Sequence, residues 1–270
     1  MTLRPGPAGA NPYPLVAAAL RRAGLSADVS IASDFPIGSG LGGSSAAGVA
    51  LAAAIGAAQY HAFDAGALAE WSRALEVEEL GIAGGRQDHY AAAFGGALGL
   101  TFDATVRVEQ IPLSAAFRAA LESRLTLVYT GESRISGETI TAVLDAYRDR
   151  VPGVIGALDR MAVLARGMRS AVHTGDVCTL AALVDEHWAY QRALHPRITT
   201  ERIEALDRAA RAAGAQGLKA LGASGGGCVM ILSDATDTAR VAEAVSPFGE
   251  ILPWRIATSG AEVSRLIPDA

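Results

Sequence analysis

Residues 36–47, PIGSGLGGSSAA, constrain the fold of this chain more than any other stretch. The preceding segment, ADVSIASDF, alternates apolar and polar residues and places Val29 and Ile31 on one face, which predicts a strand. The run from Ala46 to Ala58 is rich in alanine and predicts a helix. A glycine-rich loop between a strand and a helix can bind an anion through its backbone. Glycines permit sharp turns and close approach, and the first N–H groups of the helix are free to donate hydrogen bonds. We therefore interpret the loop as a phosphate-binding site.

The residues expected to contact phosphate are the loop glycines, the leucine among them and the two serines that follow: Gly38, Gly40, Leu41, Gly42, Gly43, Ser44 and Ser45. The serines stand where a helix N-cap is expected, and hydroxyls there can also reach a phosphate-bound metal. The structural alternative is a tight turn followed by a serine N-cap. The loop matches neither common nucleotide signature: a Walker lysine is absent, and Asp64, near the distance of a Rossmann acidic residue, lies in an expected helix start.

The loop resembles the phosphate loop of the GHMP kinases, the superfamily of galactokinase, homoserine kinase, mevalonate kinase and phosphomevalonate kinase, which reads roughly PxxxGLGSSAA. Residues 80–96, LGIAGGRQDHYAAAFGG, are similar to the family stretch that carries the catalytic aspartate. Residues 217–228, GLKALGASGGGC, resemble the third motif, and the three segments follow the family order. Three shorter segments resemble one subgroup of the family, the D-glycero-D-manno-heptose 7-phosphate kinases, more than any other: GGRQD, YTGESR (129–134) and EHWAYQRAL (186–194). The L-fucokinases are the next most similar subgroup.

The resemblance implies an ATP-dependent kinase that transfers the γ-phosphoryl group to a sugar hydroxyl. In the heptose kinases the acceptor is the anomeric hydroxyl of D-glycero-D-manno-heptose 7-phosphate, and an L-fucokinase-like hexose 1-kinase is the alternative. Asp88 matches the catalytic aspartate, and Glu76 matches the magnesium-binding glutamate, with the Ser44 hydroxyl as the second ligand. The implied cofactors are ATP and Mg²⁺, and Gly225 and Gly226 of the third motif would close over the triphosphate.

Each acidic candidate has a structural alternative. Asp88 could be a helix N-cap. Glu76, Glu78 and Glu79 end the preceding helix, where the helix dipole disfavours negative charge, and a solvated acidic face is the ordinary explanation, which we keep for Glu78 and Glu79.

The basic candidates also stay open between two interpretations. Arg86 and Arg134 are the expected ligands of a sugar phosphate, because a guanidinium matches phosphate oxygens, and a surface ion pair is the alternative for each. Lys219 could steer phosphate or be an exposed strand lysine. Ser224 replaces a glycine of the third motif, which costs about 1 kcal/mol if that position needs a positive φ.

The chain of 270 residues is expected to form a two-domain α+β protein, with residues 1–120 and 121–270 as its domains. The resemblance implies a ribosomal-protein-S5-like N-terminal half and a ferredoxin-like C-terminal half. The expected N-terminal elements are a helix at about 13–24, the strand and alanine-rich helix around the glycine-rich loop, a further helix capped by Asp64, and a hairpin at 98–108. The helix after Asp64 is predicted from the helical spacing of Leu68, Trp71, Leu75 and Leu80. The expected C-terminal elements are strands at about 124–130, 216–221, 228–233 and 249–257 and helices at 137–149, 153–172, 176–192 and 199–213, with a last helix ending at Val245.

GHMP kinases begin with a strand-rich segment whose first motif, near GGGTD, helps to form the sugar pocket. No such segment is found here, and the opening MTLRPGPAGANPYPLVAAAL already resembles the helix before the phosphate loop. We therefore expect a truncated N-terminal half. A misplaced start, a gene fragment and a real deletion each explain this, and a truncated relative that binds a nucleotide or sugar without turnover is the alternative to an enzyme.

Composition excludes other classes. A net charge of −5 argues against broad nucleic-acid binding, and no apolar run is long enough to span a membrane. Cys178 and Cys228 are isolated and the opening residues lack signal-peptide features, which fits a cytoplasmic protein. The expected partner is a small sugar or sugar phosphate, and a homodimer is the candidate assembly.

Overall fold

A computed structural model describes the backbone of residues 2–5 and all atoms of residues 13–132 and 137–264. Internal contacts divide the chain into two compact units. The N-terminal unit comprises Met1–Asp34, Gly42–Gln110 and Ala257–Ala270, and the C-terminal unit comprises Phe35–Leu41 and Ile111–Ile256. The first glycine-rich loop therefore begins in the C-terminal unit and ends in the N-terminal unit. The domain boundary expected at residue 120 stays a prediction.

In the residues that the structure describes, the N-terminal unit combines four α-helices with two small sheets. Its elements are β1 (Thr2–Pro5), α1 (Pro14–Ala23), β2 (Ala27–Ser30), α2 (Gly43–Ala58), α3 (Ala65–Ala74), α4 (Gln87–Phe94), β3 (Ala97–Phe102) and β4 (Val106–Ile111). β1 pairs antiparallel with β2, and β3 pairs with β4. The expected first helix, strand, alanine-rich helix and hairpin are confirmed. β1 was not predicted, because four residues are too few to show a strand period.

The segment after Asp64 begins as expected and ends differently. The Asp64 carboxylate caps α3 by accepting a hydrogen bond from the Ala67 N–H at 2.7 Å. The sequence spacing predicts a regular helix up to Leu80, but α3 continues as a π-helical turn, Leu75–Glu79, in which the Leu80 N–H donates to the Leu75 carbonyl. The turn leaves Leu75 fully buried and Glu76 buried beside it, so packing rather than local propensity explains the difference.

The C-terminal unit is a four-stranded antiparallel sheet with helices. Its elements are α5 (Ala115–Arg124), β5 (Leu125–Tyr129), α6 (Gly137–Arg148), α7 (Pro152–Thr174), α8 (Val177–Ala193), α9 (Glu201–Ala212), β6 (Ala215–Ala220), β7 (Cys228–Ser233), α10 (Thr238–Val245) and β8 (Glu250–Ile251). The strand order is β6-β7-β5-β8, and all three neighbouring pairs are antiparallel, as a ferredoxin-like half requires. Four residues of α8, α9 and these strands, Trp188, Leu206, Leu218 and Ile231, are central to the core.

Two features of this unit differ from the sequence prediction. Helix α5 was not predicted, although the Ser114 hydroxyl caps it by accepting from the Phe117 N–H at 3.1 Å. The last strand was expected over residues 249–257 and covers only Glu250–Ile251, because Pro253 has no N–H to continue the ladder. The expected helices and the other three strands are confirmed. No helix within the described ranges is long and apolar enough to cross a lipid bilayer.

Ser224 lies in the loop between β6 and β7 with a φ of +63°, and its buried hydroxyl has no hydrogen-bond partner among the described residues. We expect Ser224→Gly to stabilise the protein by about 1 kcal/mol, because a left-handed residue with a Cβ costs about 1–2 kcal/mol and glycine's extra unfolded-state entropy offsets part of the gain. Urea unfolding measures the change. Ser224→Ala is the control, since it removes the hydroxyl and keeps the backbone strain; equal stability of the parent and Ser224→Gly would contradict the strain.

Candidate active site

Within the C-terminal unit, the first part of the glycine-rich loop at residues 36–47 lies against the glycine-rich loop between β6 and β7. Gly40 has a φ of +76°, and a Cβ added there would lie 2.9 Å from the Leu221 carbonyl oxygen. The Cys228 N–H donates to the Ser39 carbonyl at 2.7 Å. Because backbone contacts backbone at Gly40, a side chain at this position would push the two loops apart.

The second loop is also bonded to other segments of its own unit. The Gly225 N–H donates to the Ile198 carbonyl at 2.9 Å, and the Gly227 N–H donates to the Glu132 carbonyl at 2.6 Å. A Cβ added at Gly226 would lie 2.5 Å from the same Glu132 oxygen. These bonds set the shape of the loop, and the nucleotide-binding role of Gly225 and Gly226 stays a prediction.

Helix α2 begins with glycine rather than serine. Gly42 is its N-cap, with a φ of +72° and no side-chain capping bond, and Gly43 is the first helical residue. The cap position expected for Ser44 and Ser45 is therefore wrong, since both lie inside the first turn. With no capping side chain, the first N–H groups of α2 keep the hydrogen-bonding capacity that an anion can use.

Asp88 lies against this helix start. A Cβ added at Gly42 would lie 3.2 Å from the Asp88 Cβ and 3.3 Å from its Cγ. The N-cap alternative for Asp88 is wrong, because α4 begins at Gln87 with Arg86 at the cap position and Asp88 is in the first turn. Burial raises the pKa of Asp88, and the negative charge of Glu76 adds to the rise while the charge of His89 opposes it.

The three glutamates after α3 have different surroundings. Glu78 and Glu79 are within 3.2 Å and 3.1 Å of the Arg22 guanidinium, as expected of a solvated acidic face. Glu76 is only 7% exposed. Burial raises the pKa of Glu76, but hydrogen bonds with His89 and Ser44 and the charge of His89 outweigh it, so the pKa lies below its ordinary value.

The surroundings of Glu76 fit a magnesium ion. Its Oε1 atom is buried and has no hydrogen-bond partner among the described residues, while the Ser44 hydroxyl bonds to the same carboxylate. The described residues contain no group of three or more His, Cys, Asp or Glu that could hold a metal. Magnesium usually binds one or two protein oxygens together with phosphate and water, so a glutamate and a hydroxyl suffice.

His89 is a site residue that sequence reasoning missed. It is 1% exposed, its Nε2 lies 3.3 Å from Glu76 Oε2, and its Nδ1 lies 2.9 Å from the Ser72 hydroxyl. Histidine spacing gave no signal, because His89 bonds to residues of other helices. Its position directly after Asp88 was the only local hint.

The predicted phosphate ligands have other contacts or lie outside the described residues. The Arg86 guanidinium is 3.6 Å from the Glu70 carboxylate, which also accepts from the Tyr90 hydroxyl at 2.8 Å. Arg134 is outside the described residues. Both assignments stay predictions.

Lys219 supports the second glycine-rich loop. Its ammonium group donates to Gln191 Oε1, and Gln191 Nε2 donates to the Gly222 carbonyl at 3.1 Å. Burial lowers the pKa of Lys219 to about 8. Lys219 is therefore a partly buried residue that holds the loop through Gln191.

Family comparisons agree with this arrangement. The profile of the GHMP kinases N terminal domain matches residues 12–96, and the profile of the GHMP kinases C terminal domain matches residues 168–250. The chain belongs to the GHMP kinases. The first match contains the whole of the Gly42, Glu76 and Asp88 site, and the second contains the Lys219 loop.

Two curated GHMP kinase relatives have sugar substrates in their names. The chain is 30% identical over 211 residues to the D-glycero-alpha-D-manno-heptose 7-phosphate kinase of Campylobacter jejuni, covering 76% of this chain and 60% of the relative. It is 28% identical over 174 residues to the bifunctional fucokinase/GDP-fucose pyrophosphorylase of Arabidopsis thaliana, covering 62% of this chain and 16% of that protein. The chain thus spans less than two thirds of either relative.

A solved structure supports the GHMP kinase fold. The D-glycero-D-manno-heptose 1-phosphate kinase of Bacteroides thetaiotaomicron superimposes with a TM-score of 0.71 at 23% identity, covering 93% of this chain and 75% of that one. At this identity the likeness shows the fold.

The raised pKa of Asp88 predicts a pH-dependent cost of folding. A carboxyl group whose pKa is raised by folding destabilises the native state above that pKa, and the cost vanishes below the unfolded value of about 3.9. Asp88→Asn should therefore increase the free energy of unfolding at pH 7, with a smaller increase at pH 4, as measured by urea titration. Asp149→Asn, at an exposed position, is the control for losing one negative charge. A variant less stable than the parent at pH 7 would contradict the burial argument.

Proposed function

We propose that this GHMP kinase uses ATP to phosphorylate the anomeric hydroxyl of D-glycero-D-manno-heptose 7-phosphate. The observation that carries the proposal is the closeness of the Asp88 side chain to the uncapped start of α2, where a Cβ added at Gly42 would lie 3.3 Å from the Asp88 Cγ. A carboxyl group this close to a helix start that could bind phosphate supports a role for Asp88 in orienting the acceptor. The heptose kinase relative supports the choice of sugar.

The start of α2 would bind the triphosphate. Its first N–H groups have no capping side chain, and the positive end of the helix dipole favours an anion. The glycines from Gly38 to Gly43 let the backbone approach the phosphate oxygens without Cβ atoms between them. The hydroxyl of Ser45 is buried, so contact with phosphate falls to the backbone there.

Asp88 would orient the acceptor hydroxyl and take its proton. In the transfer, the sugar oxygen forms a bond to the γ-phosphorus, the bond from phosphorus to the bridging oxygen of ADP breaks, and the hydroxyl proton passes to the Asp88 carboxylate. The raised pKa makes Asp88 a stronger base than an ordinary aspartate.

Glu76 and Ser44 would hold Mg²⁺, which supplies positive charge to the triphosphate when it is bound. Glu76 brings a carboxylate kept ionised by its hydrogen bonds, and Ser44 brings a neutral oxygen from the first turn of α2. Arg86 and Arg134 remain the candidates for the 7-phosphate, and Arg86 would then share its guanidinium with Glu70.

An L-fucokinase-like hexose 1-kinase is the second candidate, favoured by the similarity to the plant fucokinase. The two activities need the same transfer machinery and differ in the groups that bind the rest of the sugar. A 7-phosphate requires a cationic partner, whereas L-fucose does not.

Activity assays separate these candidates. We expect ATP consumption with D-glycero-D-manno-heptose 7-phosphate that exceeds consumption with L-fucose or without sugar. Asp88→Asn should lower turnover by about 100-fold or more and leave ATP affinity nearly unchanged. Activity on L-fucose alone would favour the second candidate. ATP binding without transfer to either sugar, or full turnover by Asp88→Asn, would contradict the proposed catalysis.

A second experiment tests the phosphate-binding loop. Gly43→Val should abolish binding of ATP with Mg²⁺ in a folded protein, because its side chain would cover the backbone at the start of α2. The matched control is Gly153→Val, which makes the same change in the first turn of α7, where an added Cβ meets no atom within 4 Å. Calorimetry measures both affinities, and unchanged ATP binding by Gly43→Val would overturn the loop assignment.

A further inference from the structure

Four buried polar side chains form one hydrogen-bonded network in the N-terminal unit. Ser45, Ser72, Glu76 and His89 are 4%, 0%, 7% and 1% exposed. They come from the first turn of α2, from α3, from the π-helical turn and from α4. α2 and α3 are in close contact, since a Cβ added at Gly48 would lie 2.2 Å from the Ser72 hydroxyl. The proposed function uses only Glu76 from this network.

The donors in the network can be assigned by counting protons. The Ser72 hydroxyl donates its one proton to the Ser45 carbonyl, which accepts it at 3.1 Å. The Ser72 oxygen must therefore accept from His89 Nδ1, 2.9 Å away, so this ring nitrogen carries a proton. Ser72 thus fixes the orientation of the imidazole ring from the side opposite Glu76.

The other ring nitrogen faces the Glu76 carboxylate. His89 Nε2 is 3.3 Å from Glu76 Oε2 and 3.5 Å from the Ser45 hydroxyl. Because a carboxylate oxygen only accepts hydrogen bonds, we assign Nε2 as the donor to Oε2. The second carboxylate oxygen, Oε1, is buried and has no partner among the described residues. Glu76 Oε2 is therefore held by a hydrogen bond, and Glu76 Oε1 remains available to a ligand.

We propose that His89, held in place by Ser72, is a positioning residue that fixes the Glu76 carboxylate so that Oε1 is presented to the divalent cation of a bound nucleotide. The inference rests on the proposed function, because it needs Glu76 as the cation ligand. Groups that hydrogen-bond to a metal-binding carboxylate fix the orientation of its oxygens toward the metal. Loss of such a group typically lowers metal affinity by about 10–100-fold.

Two amide substitutions at His89 separate its two hydrogen bonds. In His89→Asn the side-chain NH₂ lies near the position of Nδ1 and keeps the bond to Ser72, while in His89→Gln it lies near the position of Nε2 and keeps the bond to Glu76. A merely structural histidine would tolerate both amides about equally. A positioning role requires His89→Gln to rescue cation binding that His89→Asn loses.

The experiment measures Mn²⁺ affinity of the 270-residue chain by electron paramagnetic resonance, with a non-hydrolysable ATP analogue present. Thermal unfolding without ligand reports the structural effect of each variant. We expect His89→Asn to weaken Mn²⁺ binding by about tenfold or more and His89→Gln to retain most of the affinity. Ser72→Ala, which removes a single oxygen, should shift affinity in the same direction as His89→Asn and supplies the test if an amide variant fails to fold.

The variant Glu76→Gln distinguishes failure of the positioning role of His89 from failure of the cation site itself. If Glu76→Gln weakens Mn²⁺ binding while His89→Asn and Ser72→Ala match the parent, the positioning role is overturned and the proposed function stands. Equal losses in His89→Asn and His89→Gln that follow their melting temperatures would also overturn it. If Glu76→Gln binds Mn²⁺ as the parent does, the cation site of the proposed function fails, and the role of His89 fails with it.

Discussion

The buried carboxylate of Glu76 is the constraint around which the N-terminal unit is organised. Removing a carboxylate from water costs several kcal/mol unless hydrogen bonds and opposite charge compensate for it. The structure supplies this compensation through two side chains, His89 and Ser44, and Ser72 in turn holds His89. The compensation is incomplete, because no residue that the structure describes bonds to Oε1. A fold that keeps such an atom buried gives up stability, which is common where a site must bind a ligand.

The same constraint accounts for the chemistry of Asp88. Burial and the nearby charge of Glu76 raise its pKa, whereas the hydrogen bonds to Glu76 lower the pKa of the glutamate. The opposite pKa directions fit the roles proposed for the two carboxylates, in which Glu76 remains ionised beside a cation and Asp88 accepts a proton. The difference between the pKa directions of Glu76 and Asp88 depends on His89, which bonds to Glu76 and whose charge acts on both carboxylates.

Much of the fold could be predicted from local signals, and the exceptions have physical causes. Asp64 was predictable as a cap because a short acceptor preceded a run with helical spacing, and the helices α6 to α9 followed from the same periodicity. The start of α2 could not be placed to the residue, since glycine and serine are both good N-caps and the left-handed φ of +72° at Gly42 is visible only in the structure. The π-helical turn and the role of His89 depend on burial against other helices, which no local pattern records. The three motifs identified the candidate loops and carboxylates, but their hydrogen-bond partners came only with the structure.

The most direct test of the account locates the cation itself. Crystals grown with Mn²⁺ and a non-hydrolysable ATP analogue would give an anomalous diffraction peak at the metal position. We expect one peak within about 2.2 Å of Glu76 Oε1 and of the Ser44 hydroxyl, with phosphate oxygens completing its shell. A nucleotide-bound peak away from both residues, with Glu76 Oε1 still facing only protein, would contradict the central claim.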